Sequence, residues 1–277
     1  MNTLKTTLLM GAMTGILLAV GRVLAGPDGM LMALLVAGVM NFIAWFWSDK
    51  IVLRMYNAQP VGQAEAPELY AIVQTLAQKA NIPMPRLYIL PELALNAFAT
   101  GRGPSHAAVA ATAGIVAAMD REELEGVLAH ELSHVINRDT LVSTVAATLG
   151  GAISFLAHPF LFRGRSDRDN SSNALVALVV MIVAPLAAML IRLAVSRSRE
   201  YGADASGARL VGYPDGLARA LRKLQAASER IPMQHADPAT AHLFIVNPLT
   251  GNHLLGRLFS THPPLEDRIA RLMAMKG

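Results

Sequence analysis

The chain has 277 residues, of which 53% are hydrophobic and 16% charged, and its mean hydropathy is +0.39. Soluble domains usually carry about a quarter charged residues, so this composition indicates membrane segments rather than an unusually large core. There are no cysteines, which excludes disulfides and thiolate metal ligands. The net charge is only +4, and basic residues do not alternate with aromatic ones, so we do not expect nucleic-acid binding.

Residues 1–50 contain two uncharged stretches of membrane length, Thr6–Gly21 and Met30–Ser48, joined by a Gly-Pro-Asp-Gly turn. About 20 apolar residues cross a bilayer as a helix, so this region is predicted to be an N-terminal transmembrane hairpin. The alternative for the first stretch is a cleaved signal peptide, because Val23–Ala25 resembles a cleavage site. Arg22 beside that site, and a second apolar stretch directly after it, favour the hairpin.

Residues 51–139 are interpreted as the first part of a soluble domain. Apolar residues recur at helical spacing over Pro67–Lys79, which predicts a helix. Leu87–Leu90 and Asn96–Gly101 are predicted to be extended. The alanine- and valine-rich run His106–Met119 is predicted to form a strand or a hairpin.

The next helix carries the most informative motif of the chain, H-E-x-x-H. Asp120 followed by Glu123 is typical of a capping box, so a helix is predicted to start there. In that helix His130 and His134 lie one turn apart on one face and can bind one zinc ion. Glu131 between them can reach a water molecule at the metal. Chance occurrence is the alternative, since the chain has eight histidines.

Residues 140–195 contain two further apolar stretches, Thr140–Phe162 and Asn170–Ile191. We expect them to be either membrane spans or a re-entrant hairpin. If residues 51–139 are cytoplasmic, two spans would put the arginine-rich segment 163–169 outside, against the positive-inside rule. Both interpretations therefore stay open.

Residues 196–277 are predicted to be the second part of the soluble domain. Helices are expected over Arg197–Leu210 and Pro214–Ser228, followed by a long loop over 230–251. A final helix is predicted to begin at residues 263–264 with proline in its first turn.

A catalytic zinc ion usually has three protein ligands, so the two histidines need a third residue from elsewhere in the chain. No further histidine follows at a suitable spacing. Glu200, in a predicted helix next to an apolar stretch, is the strongest candidate. On its own pattern it would be an ordinary solvated helix charge.

Four short motifs occur in order: N-A-F-A-T-G, H-E-L-S-H-V-x-N-x-D, S-R-x-R-E-Y-x-A-D and S-T-H-P-P. Together they resemble the HtpX membrane metalloproteases, which belong to the same broad group as the type I CAAX prenyl endopeptidases. The likeness covers essentially the whole chain. It implies an α-rich α+β fold with a gluzincin-like zincin domain and up to four transmembrane or membrane-associated helices.

By position, the resemblance implies that His130, His134 and Glu200 bind one Zn²⁺ and that Glu131 is the catalytic acid and base. It also implies that Asp204, one helical turn after Glu200, accepts a hydrogen bond from a zinc-bound imidazole. The alternative for Asp204 is a helix-surface charge paired with an arginine.

The resemblance further implies that His262 donates to the substrate oxyanion and that Arg268 supports the site. The alternative is a histidine at a helix start and a surface arginine. The segment Asn96–Gly101 resembles the edge strand of the family, which can pair with the backbone of an extended peptide. The alternative is an ordinary sheet strand. The residues predicted to form that edge are Asn96, Ala97, Phe98 and Ala99.

The resulting functional prediction is a zinc endopeptidase of the bacterial inner membrane with its catalytic domain on the cytoplasmic side. It is expected to cleave misfolded or unassembled membrane proteins, in quality control and the stress response. Its expected partners are protein or peptide substrates and the lipid bilayer. One alternative is a CAAX-type processing protease, although four short spans are few for the larger chamber of that group. Another is a non-catalytic scaffold stabilised by zinc, which the presence of Glu131 disfavours.

Overall fold

A computed structural model describes residues 2–150, 197–228, 230–231, 233, 237, 240–248 and 263–275. The helices in these ranges are α1 (Asn2–Met55), α2 (Pro67–Lys79), α3 (Ala113–Ala118), α4 (Arg121–Ile136), α5 (139–150), α6 (Arg197–Val211), α7 (Asp215–Ser228) and α8 (Leu265–Ala274). The strands are β1 (Gln59–Val61), β2 (Arg86–Leu90), β3 (Ala97–Thr100) and β4 (Ala108–Thr112). Short 3₁₀ turns lie at Pro104–His106 and Ala241–Leu243. The described part of the chain is thus a helix-rich α+β structure, as the sequence predicts.

Helix α1 is bent into two antiparallel arms. The chain leaves helical geometry at Gly26, whose φ of 65° is a conformation that glycine adopts without strain. The arms meet closely at Gly21 and Gly29, because a Cβ on Gly21 would lie 2.3 Å from the carbonyl oxygen of Gly29. Further along, the Asn41 side chain donates a hydrogen bond to the Thr14 hydroxyl at 2.9 Å. Small residues at the turn therefore let the two arms pack along each other.

The second arm of α1 exposes a band of large apolar side chains, which includes Leu31, Met32, Leu35, Val39, Phe42 and Trp47. By length and composition, Leu4–Met55 is the one helix in the described ranges that is apolar enough to cross a membrane. The predicted stretch Thr140–Phe162 is described only as far as residue 150. The predicted stretch Asn170–Ile191 lies outside the described residues.

The four strands form one sheet in the order β1-β2-β4-β3, with β2 and β4 parallel and the other pairs antiparallel. Strand β3 therefore lies at one edge of this sheet. Strand β1 was not predicted, because three residues that include a proline carry no detectable alternation. The prediction of a strand or hairpin over His106–Met119 is wrong in its second half. There Thr112 caps a helix by accepting a hydrogen bond from the backbone of Ile115 at 3.1 Å, and the chain turns into α3.

Helix α4 lies at the centre of the part of the structure that follows α1, packed against α2, α6 and α7. Its start has the predicted capping box, in which Asp120 and Glu123 exchange side chain–backbone hydrogen bonds of 2.9 Å. Close approach to its neighbours depends on glycines. A Cβ on Gly126 would lie 2.5 Å from the backbone nitrogen of Leu217, and one on Gly207 would lie 2.9 Å from that of His130. These contacts bring α6 directly beside the H-E-x-x-H motif.

Helix α4 does not continue into the third apolar stretch. It ends at Ile136, and Arg138 has a φ of 58°, which breaks the helix before α5 begins. Apolar residues of α5, including Leu141, Val145 and Leu149, then pack against both arms of α1. Helix α5 therefore joins the helix that carries the H-E-x-x-H motif to the apolar arms of α1.

The described helices after residue 196 follow the predicted order with small shifts. Helix α6 extends one residue beyond the predicted end, and α7 starts at Asp215 rather than at Pro214. The predicted loop 230–251 contains the 3₁₀ turn at Ala241–Leu243. Helix α8 starts at Leu265, so Pro264 is the residue before the first helical position and does not lie inside the first turn.

Candidate metal centre

The two histidines of the motif share one face of α4. His130 and His134 are separated by one turn, and their ring centroids lie 4.8 Å apart with the planes perpendicular. His130 is 1% exposed, and Glu131 between them is 2% exposed. A helix buried on nearly every side thus presents two imidazoles and a carboxyl group to the protein interior.

Glu200 reaches the same point from the first turn of α6. One carboxylate oxygen lies 3.8 Å from His130 Nε2 and the other lies 3.5 Å from His134 Nε2. One potential ligand atom from each of the three residues lies within 4.8 Å of the others. Glu200 is 6% exposed, which excludes the solvated helix charge that its sequence context allowed.

The geometry and chemistry of this cluster fit a small divalent cation. Atoms that each bind a metal at about 2.0–2.2 Å in a tetrahedral arrangement lie roughly 3.3–3.6 Å apart, close to the distances seen here. The three residues line a cavity of about 30 Å³. Two imidazole nitrogens and one carboxylate are ligands that suit zinc.

Asp204 fixes the orientation of the His130 ring through its Nδ1 atom. Its carboxylate accepts a hydrogen bond from His130 Nδ1 at 2.9 Å, which leaves Nε2 for the metal. Burial alone would raise the pKa of the Asp204 carboxyl. The Arg268 guanidinium and the hydrogen bond with His130 outweigh burial and lower the pKa to about 2.

Arg268 is fully buried rather than a surface residue. Its guanidinium donates two hydrogen bonds to Asp204, at 2.8 and 2.7 Å, and a third to the carbonyl of Ile245 at 3.1 Å. Two parallel bonds between a guanidinium and a carboxylate fix the orientation of both groups. Helix α8 thereby locks the carboxylate that orients His130.

The second histidine has an equivalent partner that the sequence analysis did not assign. His134 Nδ1 lies 3.3 Å from Asp139, and Arg199 lies 3.7 Å from the other oxygen of Asp139. Burial alone would lower the pKa of His134. The hydrogen bond with Asp139 and the charges of Glu200 and Glu131 raise the pKa to about 9. Asp139 ends the H-E-L-S-H-V-x-N-x-D motif, which was the only sign of its role.

Glu131 faces the same cavity as the proposed ligands. Burial raises the pKa of its carboxyl to about 8, helped by the charge of Glu200 and opposed by that of His134. A carboxyl group with a pKa near neutrality can both accept and release a proton under physiological conditions. This environment suits the acid and base role that the motif predicts.

The edge strand β3 borders the site, and its free side is occupied by other parts of the chain: the Ala99 backbone is hydrogen-bonded to Glu131. Ile245 donates a hydrogen bond to the carbonyl of Ala97 at 3.1 Å, and the Asn96 side chain donates to Val246 at 2.9 Å. These two positions are therefore already bonded to the segment that follows the Ala241–Leu243 turn. Backbone groups of alternate residues face the same side of a strand, so Ala99 points in the same direction as Ala97. Ala99 also lines the metal cavity.

His242 lines this cavity as well, although no sequence pattern predicts it there. Its Nε2 donates a hydrogen bond to the carbonyl of Ser143 on α5 at 2.9 Å. No spacing relates His242 to the H-E-x-x-H motif, so only the three-dimensional fold brings it close. His262, which was predicted to stabilise the oxyanion, lies outside the described residues.

The Asp204 contact leads to a testable prediction. Asp204→Asn is expected to lower metal affinity about 10- to 100-fold, because the amide cannot hold His130 as a carboxylate does. It should also lower the melting temperature, since Arg268 would remain buried without its charged partner. Competition with a chelator and thermal unfolding measure the two effects. Asp267→Asn, an exposed neighbour of Arg268, is the matched control. Unchanged affinity in Asp204→Asn would contradict the assigned role.

Two histidines on one helix and a glutamate from a second helix, with a buried carboxyl group between the histidines, define a metallohydrolase of the zincin class. Comparison with known proteins agrees with this class. The chain belongs to peptidase family M48, whose sequence pattern matches residues 63–276.

Two curated relatives illustrate the likeness. A protein named Protease HtpX homolog from Desulforapulum autotrophicum is 53% identical, and the match covers 98% of this chain and 89% of the relative. A second protein of that name, from Thermodesulfovibrio yellowstonii, is 55% identical, with 99% of both chains covered. The present protein is therefore a membrane metalloprotease.

A solved structure shares the fold. The crystal structure of S. mikatae Ste24p superposes with a TM-score of 0.50 at 19% identity. The superposition covers 95% of this chain and 62% of that chain. The chain thus spans less than two thirds of Ste24p, and the likeness concerns the fold alone.

Proposed function

We propose that this metalloprotease is a zinc endopeptidase that hydrolyses peptide bonds of misfolded or unassembled membrane proteins at the cytoplasmic face of a bacterial inner membrane. The observation that carries the proposal is the convergence of His130, His134 and Glu200 around a cavity that the buried Glu131 also faces. Quality control and the stress response are the processes that such an activity would serve.

The residues of the site divide the chemistry between them. Zinc, when bound by His130, His134 and Glu200, would polarise the scissile carbonyl and lower the pKa of water. Glu131 takes the proton of the attacking water and later passes it to the leaving amine. Asp204 keeps the His130 ring oriented throughout, because its own carboxylate is held by Arg268. From the sequence resemblance, His262 would donate to the oxyanion.

The position of the β3 edge beside the cavity supports an endopeptidase that recognises extended chains, which would replace the hydrogen bond that the Ala99 backbone makes with Glu131. Ala99 directs its backbone to the same side as Ala97, next to the cavity that holds Glu131. A peptide that pairs with a strand edge is bound through backbone groups, which are the same in every sequence. Unfolded segments of many proteins would therefore be substrates, and folded ones would be excluded.

Two parts of the proposal, the membrane-protein substrates and the cytoplasmic position of the catalytic domain, are inferred from the connection of the site to the apolar hairpin. Two residues separate the motif helix α4 from α5, and α5 packs against α1, so the site lies next to the apolar elements. Lys5, Lys50 and Arg54 flank the hairpin ends on one side and Arg22 lies at its turn, which favours a cytoplasmic domain by the positive-inside rule. We propose that residues 1–50 form the hairpin and residues 140–195 further membrane-associated helices. The catalytic domain would then comprise 51–139 and 196–277.

Reconstitution of the full-length protein in liposomes tests the proposal. Metal analysis should find one zinc ion per chain, and a membrane protein with an unfolded segment outside the bilayer should be cleaved in that segment. The folded form of the same substrate should be spared. Preference for a prenylated peptide over the plain peptide would instead favour the CAAX-type alternative. Bound zinc without any cleavage would favour the scaffold.

A further inference from the structure

A second cavity, of about 400 Å³, lies at the far end of the second arm of α1. One wall is formed by the helix end, with the aromatic residues Phe42, Trp45, Phe46 and Trp47 and the charged residues Asp49 and Lys50. The opposite wall comes from the soluble domain, with Met84, Arg86, Arg102 and the Pro104–His106 turn. None of these residues belongs to the metal centre.

The cavity lies at the level where a bilayer surface would meet the protein. The apolar segment Met30–Ser48 is about 28 Å long at 1.5 Å per residue, close to the thickness of a hydrocarbon core of about 30 Å. Asp49 and Lys50 are the first charged residues after it. Phe42 and Trp47 remain 54% and 45% exposed beside them, as is usual for aromatic residues at a membrane interface. The mouth of the cavity would therefore face lipid headgroups.

The charge of the cavity is positive. Asp49 is paired with Arg86 at 2.6 Å, so these two charges offset each other. Lys50 and Arg102 remain, and neither forms an ion pair with any residue that the structure describes. The Arg102 guanidinium lies over the Phe46 ring at 5.2 Å from its centroid, which holds a cation against the aromatic wall. Two cations thus line a pocket whose other wall is apolar.

We propose that this cavity binds the headgroup of an anionic phospholipid. Lys50 and Arg102 would contact the phosphate, and the acyl chains would lie along the exposed aromatic side chains of α1. Basic pockets beside apolar helices recognise anionic headgroups through the same combination of charge and apolar surface. Because the pocket joins α1 to the loops before β2 and β4, a bound lipid would tie the soluble domain to the bilayer surface.

The two tryptophans of the chain, Trp45 and Trp47, both line the cavity, so intrinsic fluorescence reports on it directly. The full-length protein in detergent micelles would be titrated with phosphatidylglycerol or phosphatidylcholine brominated on the acyl chains. We expect phosphatidylglycerol to quench at an at least tenfold lower concentration. In Lys50→Gln/Arg102→Gln the midpoint for phosphatidylglycerol should rise on the order of twentyfold, and the preference should disappear.

The matched control is Arg121→Gln/Arg222→Gln, which removes two exposed arginines elsewhere and should keep the preference. Arg102→Lys keeps the charge and should also bind, which separates a charge effect from misfolding. Equal quenching by both lipids in the unmodified protein would overturn the proposal. Loss of the phosphatidylglycerol preference in the control variant, to the same extent as in Lys50→Gln/Arg102→Gln, would also overturn it. Inorganic phosphate at millimolar concentration should not shift the midpoint. Competition by phosphate alone would show that the ligand is a free anion and not a lipid.

Discussion

Glu131→Gln is expected to lower peptide cleavage by about 10²- to 10⁴-fold while metal binding is retained. The amide cannot accept the proton of the attacking water or return it to the leaving amine, and general acid and base catalysis contributes about 10²- to 10⁴-fold. Glu131 is not among the three residues whose ligand atoms converge, so its change leaves the metal ligands in place. Cleavage of casein together with metal content per chain measures both parts of the prediction.

The control for this variant is Glu122→Gln, which makes the same chemical change on the same helix. Glu122 is exposed and pairs with Arg219 at 2.8 Å on the surface, so its loss should alter stability by no more than about 1 kcal/mol. Its cleavage rate should equal that of the unmodified protein. If Glu131→Gln cleaved casein at a comparable rate, another group would have to move the proton.

Glu200→Ala is expected to weaken metal binding by more than about a hundredfold. The change removes one of three protein ligands, a larger loss than that of an outer hydrogen-bond partner, which costs about 10- to 100-fold. It also leaves the two histidines without the carboxylate that balances the charge of the ion. Isothermal titration or competition with a chelator gives the affinity, and cleavage should fall in parallel with metal occupancy.

Thermal unfolding measures the loss of metal binding in Glu200→Ala by an independent method. A metal that binds the folded state raises the melting temperature, so a chelator should lower that of the unmodified protein. It should leave that of the variant unchanged. Glu68→Ala, at an exposed position of α2, is the matched substitution and should respond to the chelator like the unmodified protein. Unchanged metal affinity in Glu200→Ala would remove Glu200 from the ligand set.

Local patterns predict the motif helix well, because both its start and its chemistry are encoded over a few residues. The capping box at Asp120 and Glu123 and the i, i+4 spacing of His130 and His134 need no tertiary information. Glu200 is different. Its position beside an apolar stretch makes it a candidate, but its surroundings are also typical of a solvent-exposed charge. The resemblance to a family strengthened the prediction, and the fold places Glu200 next to both histidines.

Other parts of the site could not be read from the sequence, for reasons that the structure makes clear. His242 reaches the cavity from a loop about a hundred residues away from α4, held by a hydrogen bond to Ser143. Asp139 reaches His134 because the chain leaves helical geometry at Arg138, and in a continuous helix a residue five positions on would not lie on the same face. Strand β1 and helix α3 are short, and tertiary pairing and a cap determine them rather than periodicity.

The residues that form the metal centre are spread along the chain, so they are synthesised at different times. The histidines come from α4, the carboxylates Glu200 and Asp204 follow more than sixty residues later, and Arg268 comes from α8. A ribosome-bound chain that has released only α4 therefore lacks a complete ligand set and has no guanidinium to hold Asp204. The third ligand and the guanidinium that holds Asp204 are thus added only late in synthesis, after α6 and then α8 have been made.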